Sequence, residues 1–166
     1  TVTSSAGAVD ATRESNLKCD LSEGVTVEFW LQTGSISPSI TEKQVVFDLW
    51  NGQLTSSADY GRITVELTSS GSPFLVTVMS GTTGYSQQSI GSGLDQTTLS
   101  DWGHYAFSFA SGSGTIATKF YQNGTLNQTL ATGANIGEIL NPIEARLGAL
   151  ITLPSGSLAP AGSGKL

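Results

Sequence analysis

A period of two residues recurs along this chain and restricts its fold more than any other feature. In "VTVEFWL", Val25, Val27, Phe29 and Leu31 fall on one side, with Thr26, Glu28 and Trp30 on the other. "VVFDLW" sets Val45, Phe47 and Leu49 against Val46, Asp48 and Trp50. "RITVELT" sets Ile63, Val65 and Leu67 against Thr64 and Glu66. "FLVTVM" continues with Phe74, Val76 and Val78, and "HYAFSF" places Tyr105, Phe107 and Phe109 opposite His104, Ala106 and Ser108. Successive side chains of a strand point to opposite faces, so each run reads as a strand with one apolar face.

Turn chemistry punctuates these runs. Asn123-Gly124 separates "TIATKFYQ" from "TLNQTLA" and is the favoured dipeptide for a two-residue hairpin. "SGSP" (70–73) and "ASGSG" (110–114) are of hairpin length, and longer loops are expected over 32–43, 51–61 and 80–100. "NIGEILNP" (135–142) has room for one helical turn before Pro142 ends it. Short alternating strands with regular turns indicate an all-β chain, a two-sheet antiparallel β-sandwich. Phe29, Phe47, Val65, Val76, Phe107 and Phe109 are its expected core.

Composition supports this reading. Charged residues are 12% of the 166 and hydrophobic ones 38%, so solubility rests on Ser, Thr, Asn, Gln and 20 glycines, a profile of polar turns rather than charged helices. The net charge is −6 and the seven basic residues are scattered, so no surface for nucleic acid is expected. No apolar run is long enough for a helix to cross a bilayer, and membrane insertion is not expected. Cys19 is the single cysteine, so it has no disulfide partner within the chain and reads as a small buried hydrophobe.

Taken in order, five segments resemble the laminin G-like modules of the concanavalin A-like lectin/glucanase superfamily. They are "VTVEFWLQ", "VVFDLWNG", the Trp102-Gly103-His104 strand, the Tyr121-Gln122-Asn123-Gly124 hairpin and "EARLGAL". The resemblance covers residues 20 to 152 and implies a concanavalin A-like jelly roll. "FDLWNG", "DYGRITVEL" and "SGSPFLVTV" are also similar to modules in large structural proteins of tailed phages, particularly marine ones. Two departures stand out. Asn123 replaces the family's hairpin aspartate, and the chain stops after Lys165 and Leu166, just short of the family's closing Gly-x-Ile-Asp-Glu-type strand. The expected organisation is a lead-in segment or linker over 1–19, the sandwich over 20–153, and a Gly/Ala/Ser/Pro-rich segment over 154–166 that leads to a missing strand. That missing strand implies an open sheet edge, completed by the remainder of a longer polypeptide or by a neighbouring subunit.

Candidate chemistry is sparse. His104 is the sole histidine; no Gly-x-Ser-x-Gly elbow offers it a nucleophile, and no second His or Cys offers a shared metal. Its expected role is structural: Trp102 caps the sandwich end and His104 makes a fixed hydrogen bond. A glycosidase needs two carboxyls about 5–5.5 Å apart for retention or about 6.5–9.5 Å for inversion. No strand carries Glu-x-Asp or Glu-x-Glu, and Glu28, Asp48 and Glu66 lie on separate strands, able to meet only across a sheet. These acids are expected to be solvated or hydrogen-bonded, with no catalytic residue among them. The ending "GSGKL" fails as a phosphate loop, because Ala159 and Leu166 stand where Gly and Ser or Thr are required. Calcium at a loop rim, as many laminin G-like domains hold, would draw on Asp59, Asp95 and Asp101. No Asp-x-Asp-x-Asp spacing gathers them, and no cofactor is expected.

A sugar would instead meet exposed aromatics flanked by polar groups. Tyr60 with Asp59 and Arg62, and Tyr85 with Gln87, are the candidates in the expected loops; Trp30, Trp50 and Tyr121 lie on non-core strand faces. The expected function is a non-catalytic module of a larger virion or extracellular structural protein, serving adhesion, surface decoration or assembly. A glycan-binding lectin domain is the alternative and a glycoside hydrolase stands third.

Overall fold

The computed structural model describes residues 2–4, 19–34, 43–54, 57–69, 71–133 and 135–151. Ten strands and one short helix follow in order: β1 (Val2–Ser4), β2 (Val25–Leu31), β3 (Gln44–Trp50), β4 (Gly61–Leu67), β5 (Phe74–Ser80), β6 (Thr83–Ile90), α1 (Gln96–Leu99), β7 (Gly103–Gly112), β8 (Thr115–Gln122), β9 (Thr125–Gly133) and β10 (Ile143–Leu147). They build a six-stranded sheet, β1-β10-β3-β4-β5-β6, and a four-stranded sheet, β2-β7-β8-β9. Neighbours in both sheets run antiparallel. The fold is the expected all-β sandwich.

The alternation explains the packing. Tyr105, Phe107 and Phe109 of β7 and Ile116 and Phe120 of β8 are fully buried against Ile63, Val65 and Leu67 of β4 and Phe74, Val76 and Val78 of β5. An aromatic knot holds the sheets together, with the Phe107 ring centroid 4.8 Å from Phe120 and 5.2 Å from Phe74. Such edge-on and tilted geometry adds attraction beyond the area buried. Phe29 and Phe47 are only half-buried, although both pack on this core. Phe29 sits on β2, an end strand of the four-stranded sheet, with its ring stacked 6.0 Å from Phe107.

Several expectations need correction. In β3 a bulge falls between Val45 and Phe47, so Val45 pairs with Glu66 and Phe47 with Val65. The extra residue reverses the expected facing of the two valines: Val46 joins the core and Val45 turns to the outer side with Glu66. The loop expected over 80–100 is mostly ordered as β6 and α1. Gly81, at φ +55°, turns the tight β5–β6 connection with Thr82, and Gly84, at φ +125°, lies within β6 opposite Met79. The segment over 135–142 forms no helix, and Glu138 makes an isolated bridge with Asp20 instead. The stretch 110–114 is largely strand: β7 runs to Gly112 and turns at Ser113-Gly114. Asn123 and Gly124 make the expected hairpin, with φ of 50° and 79°.

The chain start also differs from the expected lead-in. β1 pairs with β10 through Val2↔Ala145, Thr3↔Glu144 and Ser4↔Ile143, so residues within 1–19 belong to the sandwich. The edge of β10 away from β3 is covered over three residues by β1. The segment 154–166, with its phosphate-loop-like ending, lies outside the described residues.

Candidate functional site

Register places the polar residues of β3 and β4 together on the outer face of the six-stranded sheet. Directly opposed residues share a face, and here the cross-strand rows are Arg146–Asp48–Thr64–Thr77, Trp50–Arg62–Met79 and Val45–Glu66–Leu75. Asp48 and Glu66 therefore meet as diagonal neighbours. Two of the three carboxylates that the sequence left on separate strands thus share one sheet face, and Glu28 lies on the other sheet.

Asp48 is hydrogen-bonded, as expected, whereas Glu66 is neither solvated nor hydrogen-bonded. Asp48, Arg62, Thr64, Glu66 and Thr77 have no exposed surface. Arg62 grips Asp48 with two parallel bonds, Nε to Oδ1 at 2.8 Å and Nη2 to Oδ2 at 2.7 Å, and the Ile151 amide donates to Oδ2 at 2.8 Å. The Arg62 guanidinium also stands 5.7 Å from the centre of the Trp50 ring. Burial in this form requires such a planar fork, because an unpaired charge there would be prohibitively costly. Glu66 has no such fork. Neither of its carboxyl oxygens has a hydrogen-bond partner, and the hydroxyl of Thr64 beside it has none either. Burial pushes the Glu66 carboxyl up to about 7; Lys43 and Arg62 oppose the rise, and Asp48 adds to it.

The candidate sugar residues are dispersed and mostly enclosed, which corrects their placement in exposed loops. Tyr60 is 1% exposed. Burial raises its phenol pKa, and the neighbouring Arg62 charge partly offsets that rise. Asp59 is exposed, but its backbone carbonyl receives Asn51 Nδ2 at 2.6 Å and its amide donates to the Ser57 hydroxyl. Arg62 is committed to Asp48. Tyr85 lies in β6 with its hydroxyl hydrogen-bonded to Thr118 of the opposite sheet inside the core, and burial pushes it up to about 12. Gln87 is part-buried at φ 54°, and its amide donates to the Thr77 hydroxyl. Both tyrosines therefore fill the core, Tyr85 with its hydroxyl satisfied and Tyr60 without a hydroxyl partner, and neither is free to stack on a sugar.

Asn51 was missed by the sequence reading and is the organiser of this end. Its Nδ2 donates to the carbonyls of Asp59 and Leu140, while its Oδ1 accepts from the Gly61 and Gln53 amides. The "WNG" triplet was the only available signal.

The four-stranded sheet presents the opposite character on its outer face. Trp30 and Trp102 are 66% and 65% exposed, so Trp102 does not cap the sandwich end as expected. The His104 ring lies 5.3 Å from that of Trp30, with Nε2 3.6 Å from a Glu28 carboxylate oxygen. What His104 holds firmly it holds through its backbone: its amide donates to Asn123 Oδ1 at 2.9 Å, and its carbonyl accepts the Asn123 amide at 2.8 Å. The fixed hydrogen bond expected of the imidazole is made by the main chain.

Among the described residues, no group of three His, Cys, Asp or Glu is placed to hold a metal. Asp95 instead accepts the Thr98 amide and hydroxyl at the start of α1, which lowers its carboxyl pKa. Asp59 and Asp101 are exposed separately. Cys19 is buried, and that burial pushes its thiol up to about 12, away from thiolate chemistry. No helix of the described residues is long and apolar enough to cross a membrane.

A model of the concanavalin A-like lectin/glucanases superfamily matches residues 3–148. No curated protein matches the chain. Among solved structures, a Bacillus licheniformis β-glucanase is similar, with 13% identity and a TM-score of 0.44 over 76% of this chain and 52% of that one. The chain thus spans about half the length of that structure.

Proposed function

The chain belongs to the concanavalin A-like lectin/glucanase superfamily, and from that premise we propose that it is a non-catalytic β-sandwich module of a larger extracellular or virion structural protein. It serves adhesion, surface decoration or assembly there. One observation carries this reading: the two carboxylates that meet on a sheet face, Asp48 and Glu66, are both sealed from solvent, and Asp48 is clamped by Arg62. Glycoside hydrolysis needs one carboxyl to deliver a proton and another to reach the sugar or a water. A face with no exposed surface at Asp48, Thr64 or Glu66 admits neither. The phage-like phrases "FDLWNG" and "DYGRITVEL" support the structural setting.

Incubation of the purified domain with soluble β-glucans is expected to release no reducing sugar. Release that disappears on Asp48→Asn or Glu66→Gln would overturn the non-catalytic reading.

A lectin reading is favoured by a different observation, the exposed Trp30 and Trp102 beside Glu28 and His104. An indole face with a carboxylate and an imidazole nearby suits a pyranose, whose apolar face stacks while its rim hydroxyls hydrogen-bond. A glycan array with the native domain and Trp30→Ala separates the two: binding lost in the variant selects the lectin, and no binding retains the structural module.

A further inference from the structure

A carboxyl group sealed inside a sheet with no hydrogen-bond partner is stable only while neutral. Glu66 is in that position on β4, between Val45 of β3 and Leu75 of β5, with Thr64 on the same face two residues away. We propose that Glu66 is a proton-operated switch of the outer face of the six-stranded sheet. Protonated, it stays within the closed face; on releasing its proton to solvent, it draws water into the row that also holds Asp48, Arg62 and Thr64.

The charged groups around it set the direction. Arg62 on the same strand and Lys43 just before β3 favour the ionised form, whereas Asp48 on β3 opposes it. Arg62 is already held by Asp48. β5 contributes only Leu75 and Thr77 to the adjoining rows, so no titratable group faces Glu66 from that side. Further out on β10, Glu144 and Arg146 neutralise one another at 2.7 Å. Desolvation therefore outweighs the attraction and holds the group neutral up to about pH 7, against an ordinary 4.5.

The acid is raised in the closed state, so closure is fully stable below the ordinary value and weakens as pH climbs to about 7, levelling off beyond it. One proton released on opening changes the opening equilibrium by about tenfold per pH unit across that window. Between pH 5 and 7 the open population rises about fortyfold, because the slope flattens near both pKa values. The open form is an excursion from the sealed face that carries the non-catalytic reading, and its frequency depends on pH in a way that neither reading of its function requires.

Amide hydrogen exchange of β4 and β5 in the intact chain, corrected for intrinsic exchange, tests this between pH 5 and 9. Protection is expected to fall about fortyfold up to pH 7 and only about twofold more by pH 9, whereas Glu66→Gln, which keeps the shape without the proton, is expected to stay flat. A variant with the same slope as the native chain would overturn the proposal. If the variant fails to fold, carbon-13 titration of the native glutamate carboxyls decides alone. One resonance with a midpoint near 7 supports the switch, and complete titration of every glutamate by pH 6 refutes it. Neither readout depends on hydrolysis or sugar binding, so the outcome is separate from that of the proposed function.

Discussion

Replacing Arg62 with Met should be among the most damaging single changes this domain can suffer. The substitution keeps the apolar stem of the side chain as far as the position of Nε and removes both N–H donors that grip Asp48, at 2.8 and 2.7 Å. Asp48, with no exposed surface, would retain one described donor, the Ile151 amide. An uncompensated buried charge of this kind costs about 3–5 kcal/mol, a large share of the roughly 5–15 kcal/mol that holds a domain together. With a urea slope of about 2 kcal/mol per molar, the unfolding midpoint would fall by about 1.5–2.5 M. The loss should shrink on acidification, because the stranded carboxylate then takes up a proton and ceases to be a charge. The double variant Asp48→Leu/Arg62→Met removes the charge with its partner and should return to within about 1 kcal/mol of the native domain. Equilibrium urea unfolding followed by tryptophan fluorescence reads all three. A loss below about 1 kcal/mol for Arg62→Met would mean that water reaches Asp48, and the argument against catalysis on this face would fall with it.

Phe107→Ala should cost about 3–5 kcal/mol by thermal or urea unfolding, since it empties the centre of the aromatic knot. Gly84→Ala should cost at least about 2 kcal/mol, because its φ of +125° is hostile to a side chain and the added Cβ would collide with the Val78 carbonyl oxygen. Gly114→Ala, at φ +82° with open space around it, should cost only about 1 kcal/mol. His104→Ala should change stability by less than about 0.5 kcal/mol, because the imidazole has a long, part-exposed contact with Glu28 and a tilted one with the exposed Trp30 ring. Asn123→Ala should cost about 1–2 kcal/mol, since it loses the acceptor for the His104 amide and the ease of φ 50°.

The strands and the tight hairpin were legible because both obey local rules. Period-two patterning put Tyr105, Phe107 and Phe109 on the core side, and Asn123-Gly124 marked its turn. β6 was not legible: "TGYSQQSI" has one aromatic and one aliphatic residue among polar ones, and it is held as a strand by its pairing with β5. The outer row of β4 misled for a related reason. Arg62, Thr64 and Glu66 have the look of a solvated face, and only tertiary structure decides that both sides of β4 are buried. The bulge at Val45–Phe47 is invisible in sequence because either valine fits either face. Tyr60 and Tyr85 suited a sugar as loop residues, but whether a tyrosine stacks on a ligand or fills a core depends on contacts far along the chain, such as Thr118 for Tyr85.

The strand order also sets a timetable for folding. β3 through β6 pair with their immediate successors, as do β7 through β9, so both blocks can zip up soon after their residues exist. β10 is different. It must return across some ninety residues to reach β3, and β1 can dock only on β10, from the far end of the chain. Pairings of such long sequence separation form late and slow the overall rate. During synthesis the side of β3 that later receives β10 has no partner until residue 143 emerges, and the hydrophobic run "VVFDLW" waits with one flank unpaired. A nascent or partly denatured chain is therefore most vulnerable to pairing with another copy at β3, well inside the finished sheet and away from either of its final edges.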